Sequence, residues 1–175
     1  PSPGAAGIQM GLYLQNSGVK YVIYEKGSEA GMFWRSFPAM KELISVNTPP
    51  LKYRKKLNVQ GSNLRYDWHS LLNTPVDFRN FSTRFFPQRS EYQAYLKHVA
   101  SSLNVVYNTE VVQLQDGPCV VVVSSSQNIV CAKRVFVATG LEFTPRPELD
   151  KLGIMSYEQF ENAHKNGKLD GERLC

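Results

Sequence analysis

Gly4-Ala5-Ala6-Gly7, and Glu25 beyond the helical run and short apolar run that follow them, are the residues whose types and spacing can do chemistry. Two glycines around two alanines make a turn without bulky Cβ atoms. Backbone N–H groups and the positive end of a helix dipole can there meet a diphosphate. Gly4 allows the close backbone approach, and Gly7 lets the helix pack against a sheet. Glu25 ends the apolar run Tyr21-Val22-Ile23-Tyr24, where a carboxylate can accept hydrogen bonds from both hydroxyls of a ribose. Diphosphate and ribose together predict an adenine dinucleotide. The pattern departs from G-x-G-x-x-G: Ser2 stands in the first glycine's place, with Pro3 after it, and no strand precedes the turn.

Positioning these groups requires a βαβ-like frame. Gly7 to Asn16 carries Ile8 and Leu12 at helical spacing, with Gly18 as its left-handed stop. Tyr21 to Tyr24 is expected to be a strand buried in a parallel sheet. From Lys26 to Pro50 the glycines and prolines predict irregular chain, with a short strand over Leu43 to Val46. Within it, Gly31-Met32-Phe33-Trp34-Arg35 reads in two ways: an indole and a cation beside a cofactor, or a surface loop pinned to the core by its aromatic rings.

Lys52 to Lys56 reads as a solvated basic loop, with phosphate binding as the alternative. Asp67 and His69 read as part of a polar loop anchored by Trp68, with an acid–base pair as the alternative. Ser90-Glu91-Tyr92-Gln93 predicts a capping box. Tyr92, Tyr95, Leu96, Val99, Ala100 and Leu103 then form one helical stripe that leaves His98 in solvent. Val105 to Tyr107 opens a run of strands. Val111–Leu114, Cys119–Val123 and Ile129–Ala132 predict a three-stranded antiparallel meander, and Arg134 to Val137 a buried strand running into Ala138-Thr139-Gly140. A meander before that last strand distinguishes the chain from a plain single-cofactor Rossmann domain, which would carry a helix there.

The chain has 175 residues, 42% of them hydrophobic, which suits a globular core. A net charge of +5 permits an acidic ligand, but its basic residues are scattered, so a nucleic-acid-binding module is disfavoured. No apolar run has the length of a membrane span. Cys119, Cys131 and Cys175 lack C-x-x-C spacing, so neither a metal site nor a redox pair is expected, and they read as buried hydrophobes or bystanders.

Taken in order, Gly-Ala-Ala-Gly, Glu25, Phe33-Trp34-Arg35, Phe86-Pro87 with a Tyr-x-x-Tyr-Leu helix, Asn108-Thr109-Glu110-Val111 and Val137-Ala138-Thr139-Gly140 resemble the FAD domain of the two-dinucleotide-binding flavoproteins. The flavin-containing monooxygenase-like branch is the most similar, and the resemblance spans essentially the whole chain. It implies an α/β fold: a Rossmann-like FAD-binding domain with a parallel sheet, an inserted antiparallel three-stranded meander, and its first strand missing. Residues 1–150 would form that domain, and 151–175 a linker toward an NAD(P)H-binding domain outside the chain. The resemblance assigns Gly4 and Gly7 to the pyrophosphate and Glu25 to the adenosine ribose, with Ala6 and Lys26 also among the cofactor-binding positions. Trp34 and Arg35 would lie along the cofactor, Asn47 near the flavin ring and Val111 at the adenine. Thr139 and Gly140 would close over the dinucleotide.

The activity this implies is that of an oxidoreductase whose FAD is reduced by NADPH and passes electrons to an acceptor that the sequence does not name. No residue receives a catalytic role. Leu43-Ile44-Ser45-Val46-Asn47, Leu64-Arg65-Tyr66-Asp67-Trp68 and Ser70-Leu71-Leu72 are most similar to an endoplasmic-reticulum member of the branch. That implies a lumenal protein with the degradation machinery for misfolded glycoproteins as partners; a cytoplasmic location is the alternative. A flavin-containing monooxygenase and a non-catalytic FAD-binding scaffold are the alternative functions.

Overall fold

Why α1 forms is legible in its packing: Ile8 and Leu12 fall on one face and are buried, while Gln15 and Asn16 are exposed. The computed structural model describes residues 4–38, 40–45, 69–126, 128–140, 148, 151–156, 159–160, 162–163 and 166–168. It divides into two units, Pro1–Gly140 and Leu141–Cys175. In the first, α1 (Ala5–Asn16) leads through a left-handed Gly18 (φ 66°) to β1 (Ile23–Tyr24). A single turn, α2 (Phe33–Ser36), precedes the long helix α3 (Arg89–Ala100), which is followed by β2 (Val105–Val106). The meander is β3 (Val111–Gln115), β4 (Val120–Ser124) and β5 (Ile129–Ala132).

β1 and β2 pair in parallel, Ile23 opposite Val105 and Tyr24 opposite Val106. The meander is a separate antiparallel sheet in the order β3-β4-β5. Parallel sheet, inserted meander and mixed α/β character agree with the sequence reading. The core is the stripe of α3, Tyr92, Tyr95, Leu96, Val99 and Ala100, packed with Ile8, Leu12 and Phe78. Tyr95 also accepts the N–H of Leu71 through its hydroxyl at 2.7 Å. Gln9 ties α1 to the same segment, donating to the carbonyl of Leu72 at 3.0 Å and accepting its N–H at 2.7 Å. His69 is buried between Phe78 and Tyr92, with ring centroids 5.1 and 5.9 Å away, while His98 is exposed. Asp67 lies outside the described residues.

Several expectations are corrected. The ladder at Tyr21–Tyr24 covers only Ile23 and Tyr24, half-buried, because β2 supplies only two partners and Val22 is exposed. Arg134–Val137 is not a buried strand: it is irregular, and Phe136 and Val137 are exposed. No strand among the described residues lies beside it to take up its N–H and C=O groups, and without a partner an apolar run cannot become a strand. Instead of a strand from Leu43, one bridge joins Glu42 to Gln88, and Val46 lies outside the described residues. Residues 33–36 form a helical turn where irregular chain was expected.

The capping box sits two residues before its expected place, at Gln88 and Glu91. Glu91 accepts the Gln88 N–H at 2.7 Å, and also the Ser82 hydroxyl at 2.7 Å. The reason is that the chain remains helical back to Arg89, so Glu91 and not Gln93 occupies the third position. Finally, Cys119 and Cys131 are not buried hydrophobes: they form a disulfide across the β4–β5 hairpin, with Cα atoms 5.7 Å apart. The register sets Cys131 opposite Val121, which brings it diagonally beside Cys119.

The second unit shows a local cap. Ser156 accepts the Gln159 N–H through Oγ at 3.2 Å while Gln159 Oε1 accepts the Ser156 N–H at 2.6 Å.

Candidate functional site

α1 ends at Asn16 and a short connection returns the chain as β1, which packs against the helix through Ile23. The close approach that this needs falls at Gly11. A Cβ there would lie 2.7 Å from Ile23 Cδ1 and 3.0 Å from Leu103 Cδ1. Gly4 is the N-cap of α1, extended at φ −69° and ψ −179°. No side chain caps this end. The amides of Ala5, Ala6 and Gly7 thus have no acceptor inside the helix, which leaves three oriented donors at a positive helix end.

Glu25 closes β1 and is 1% exposed. Its N–H donates to the carbonyl of Val106 at 2.9 Å, and its carbonyl accepts the Thr109 N–H at 2.8 Å. One carboxylate oxygen, Oε1, accepts the Gly27 N–H at 2.5 Å. The other, Oε2, is buried without a hydrogen-bond partner among the described residues. Burial pushes this carboxyl above its ordinary range, against the opposing effects of the Gly27 N–H and the Lys26 charge. The Tyr107 phenol is raised as well, first by burial and then by the negative charge of Glu25.

The turn after Glu25 is held from two sides. Asn108, itself left-handed at φ 53°, donates its N–H to the Gly27 carbonyl at 3.0 Å. Glu29 accepts from Lys97 at 2.5 Å and from Gln93 at 2.9 Å. Lys97 holds the Glu29 carboxyl below its usual range.

Gly7, Lys26, Val111 and Thr139 line one cleft of about 1130 Å³, together with Val22 of the chain entering β1 and Val122 and Val130 of the meander. Lys26 also lies 3.8 Å from Glu110, with both side chains about half exposed. Gly4, Ala6, Glu25, Trp34, Arg35 and Gly140 do not line this cleft. Trp34 meets Tyr92 of α3 edge-on at 4.9 Å, while Phe33 is exposed. Arg35 is exposed and contributes to holding Glu29 ionised. Gly140 is left-handed at φ 79°. Asn47 lies outside the described residues.

Sequence reasoning missed Gly27, whose signal was its place two residues after the acid, and the disulfide. The disulfide was recoverable from the meander itself, since its two cysteines flank one hairpin.

Gly4 at the start of α1, three amide donors with no acceptor inside the helix and a buried acid at the end of the next strand are the features that make up this site. The profile of the family described as pyridine nucleotide-disulphide oxidoreductase matches residues 3–168, and the chain belongs to that family. A mouse relative, FAD-dependent oxidoreductase domain-containing protein 2, is 32% identical over 150 residues, which are 79% of this chain and 22% of the relative. The chain therefore spans about a fifth of that relative's length.

Among solved structures, a flavin-containing monooxygenase from Stenotrophomonas maltophilia superposes with a TM-score of 0.61 at 23% identity, over 83% of this chain and 39% of that one. An oxidized steroid monooxygenase bound to NADP superposes at 0.55 with 18% identity, over 83% and 26% of the two chains. These likenesses establish the fold. No helix among the described residues is long and apolar enough to cross a membrane.

Proposed function

We propose that this chain binds the adenosine diphosphate half of FAD, in an oxidoreductase whose flavin is reduced by NADPH and re-oxidised by a separate acceptor. The observation that carries the reading is the Glu25 carboxylate. A buried acid with one oxygen satisfied and the other without a partner needs a donor that the described polypeptide does not supply, and ribose hydroxyls are such donors. In this reading the amides at the start of α1, from Gly4 through Ala6 to Gly7, hold the diphosphate, and Lys26 adds positive charge at the rim. Val111, Thr139 and Gly140 border the adenosine side. Trp34, Arg35 and Asn47 belong to the flavin side.

When bound, the flavin supplies the redox chemistry, and the chain supplies orientation and shielding. The choice of NADPH is supported by the similar steroid monooxygenase, whose structure holds NADP. A lumenal, oxidising location is supported by the Cys119–Cys131 disulfide, and the disposal of misfolded glycoproteins is the setting proposed with it. The resemblance of the Leu43 to Leu72 blocks to an endoplasmic-reticulum flavoprotein supports it as well.

The test is anaerobic titration of the purified full-length protein with NADPH. The expected result is a bound flavin whose visible absorbance bleaches. A flavin that persists unchanged would leave a non-catalytic scaffold as the function. Oxygen-dependent formation of an oxygenated product would make it a monooxygenase.

A further inference from the structure

We infer that Gly27 is a positioning residue for the adenosine ribose: with no side chain at this place, its N–H can hold one oxygen of the Glu25 carboxylate and turn the other toward the sugar. The inference rests on the ribose reading of Glu25 given above. Two observations carry it. The Gly27 N–H lies 2.5 Å from Glu25 Oε1, and it is the polypeptide's hydrogen bond to that carboxylate among the described residues. A Cβ on Gly27 would lie 2.8 Å from the same oxygen and 2.9 Å from Met32 Cγ, both closer than real contacts allow.

What must give way decides what is lost. Neither neighbour is backbone: one is the end of the glutamate side chain and the other a flexible methionine, so the fold can accommodate a methyl group by moving them. The carboxylate cannot move and still keep its orientation. A substitution at this position should therefore leave folding nearly intact and degrade recognition of the ribose. The turn itself would hold Gly27 in place meanwhile, since its carbonyl is bonded to the Asn108 N–H.

The experiment uses full-length apoprotein reconstituted with FAD and follows displacement of the flavin by ADP and by 2′-deoxy-ADP through flavin fluorescence. The two competitors differ only in one hydroxyl, so their ratio reads the ribose contact and is insensitive to a general loss of binding. The native protein is expected to prefer ADP by about tenfold, the worth of one hydrogen bond to a charged acceptor. Gly27→Ala should bring that preference to within about twofold, which is less than a weak hydrogen bond, while its melting temperature stays close to native. Glu25→Gln should also abolish the preference, and the double variant should lose nothing more, because both changes act on one contact.

Retention of the preference in Gly27→Ala, with its loss in Glu25→Gln, would overturn the role of Gly27 alone. Retention in Glu25→Gln would overturn the ribose reading, and this inference with it. If Gly27→Ala folds poorly, Gly27→Ala/Met32→Ala removes the second close contact and keeps the first. A preference lost there too supports the inference, and a preference restored there would assign the effect to methionine packing and overturn it.

Discussion

Replacing Glu25 by glutamine tests the site at its most exposed assumption while changing little else. The amide is isosteric, and its oxygen can still accept the Gly27 N–H that now reaches Oε1. What disappears is the charge and the acceptor at Oε2, the buried oxygen for which the described residues offer no partner. A hydrogen bond to a charged acceptor is worth about 1–3 kcal/mol, so FAD affinity should fall by about 5- to 150-fold. The assay is quenching of flavin fluorescence on titration into full-length apoprotein.

Its pH dependence supplies a second reading. Burial raises the Glu25 carboxyl from its ordinary value of 4.5, so over the interval just above that value the ligand-free fold binds more protons than the unfolded chain. Stability of the apoprotein should thus fall as pH rises through that interval. Ribose hydroxyls donate to the ionised form, so FAD binding should be strongest above the folded value and weaken as pH falls through it. Glu25→Gln should flatten both dependences. Native-like FAD affinity in this variant, with an unchanged pH profile, would refute the placement of the ribose.

Two further outcomes concern the frame. Opening the Cys119–Cys131 bridge by a Cys119→Ser/Cys131→Ser double change should lower stability by about 2–3 kcal/mol, because a short loop is released in the unfolded chain; identical thermal melts with and without the bridge would contradict this. Glu91→Ala removes the acceptor of the Gln88 N–H and of the Ser82 hydroxyl and should cost about 1–2 kcal/mol, read by chemical denaturation, with no loss expected if the cap were formed elsewhere.

Periodicity made α1, the α3 stripe and the meander legible, since each follows from side-chain spacing along its own segment. Glu25 was legible for the same reason: its place at the end of β1 depends only on the run before it. What the sequence could not give was pairing. Arg134–Val137 has a strand's composition and is irregular, because strand formation depends on a neighbour's N–H and C=O groups, which no local pattern encodes. Gly27 escaped notice because its importance lies in a clash with Glu25 Oε1 and Met32 that exists only after the turn has folded. The close packing at Gly11 escaped notice for a related reason: it is set by where Ile23 and Leu103 arrive from distant segments.

The valine-lined cleft has a consequence for how this molecule behaves in concentrated solution. Val22, Phe136 and Val137 are exposed and line the same cleft as Ile23 and Tyr24 of the two-strand ladder, and an exposed apolar surface with an open strand edge favours pairing with another copy. Lys20, Lys26, Lys133 and Arg134 line the same cleft, so two approaching copies repel one another there. Mobile ions screen that repulsion and leave the apolar attraction intact, so self-association through this face is expected to increase with ionic strength.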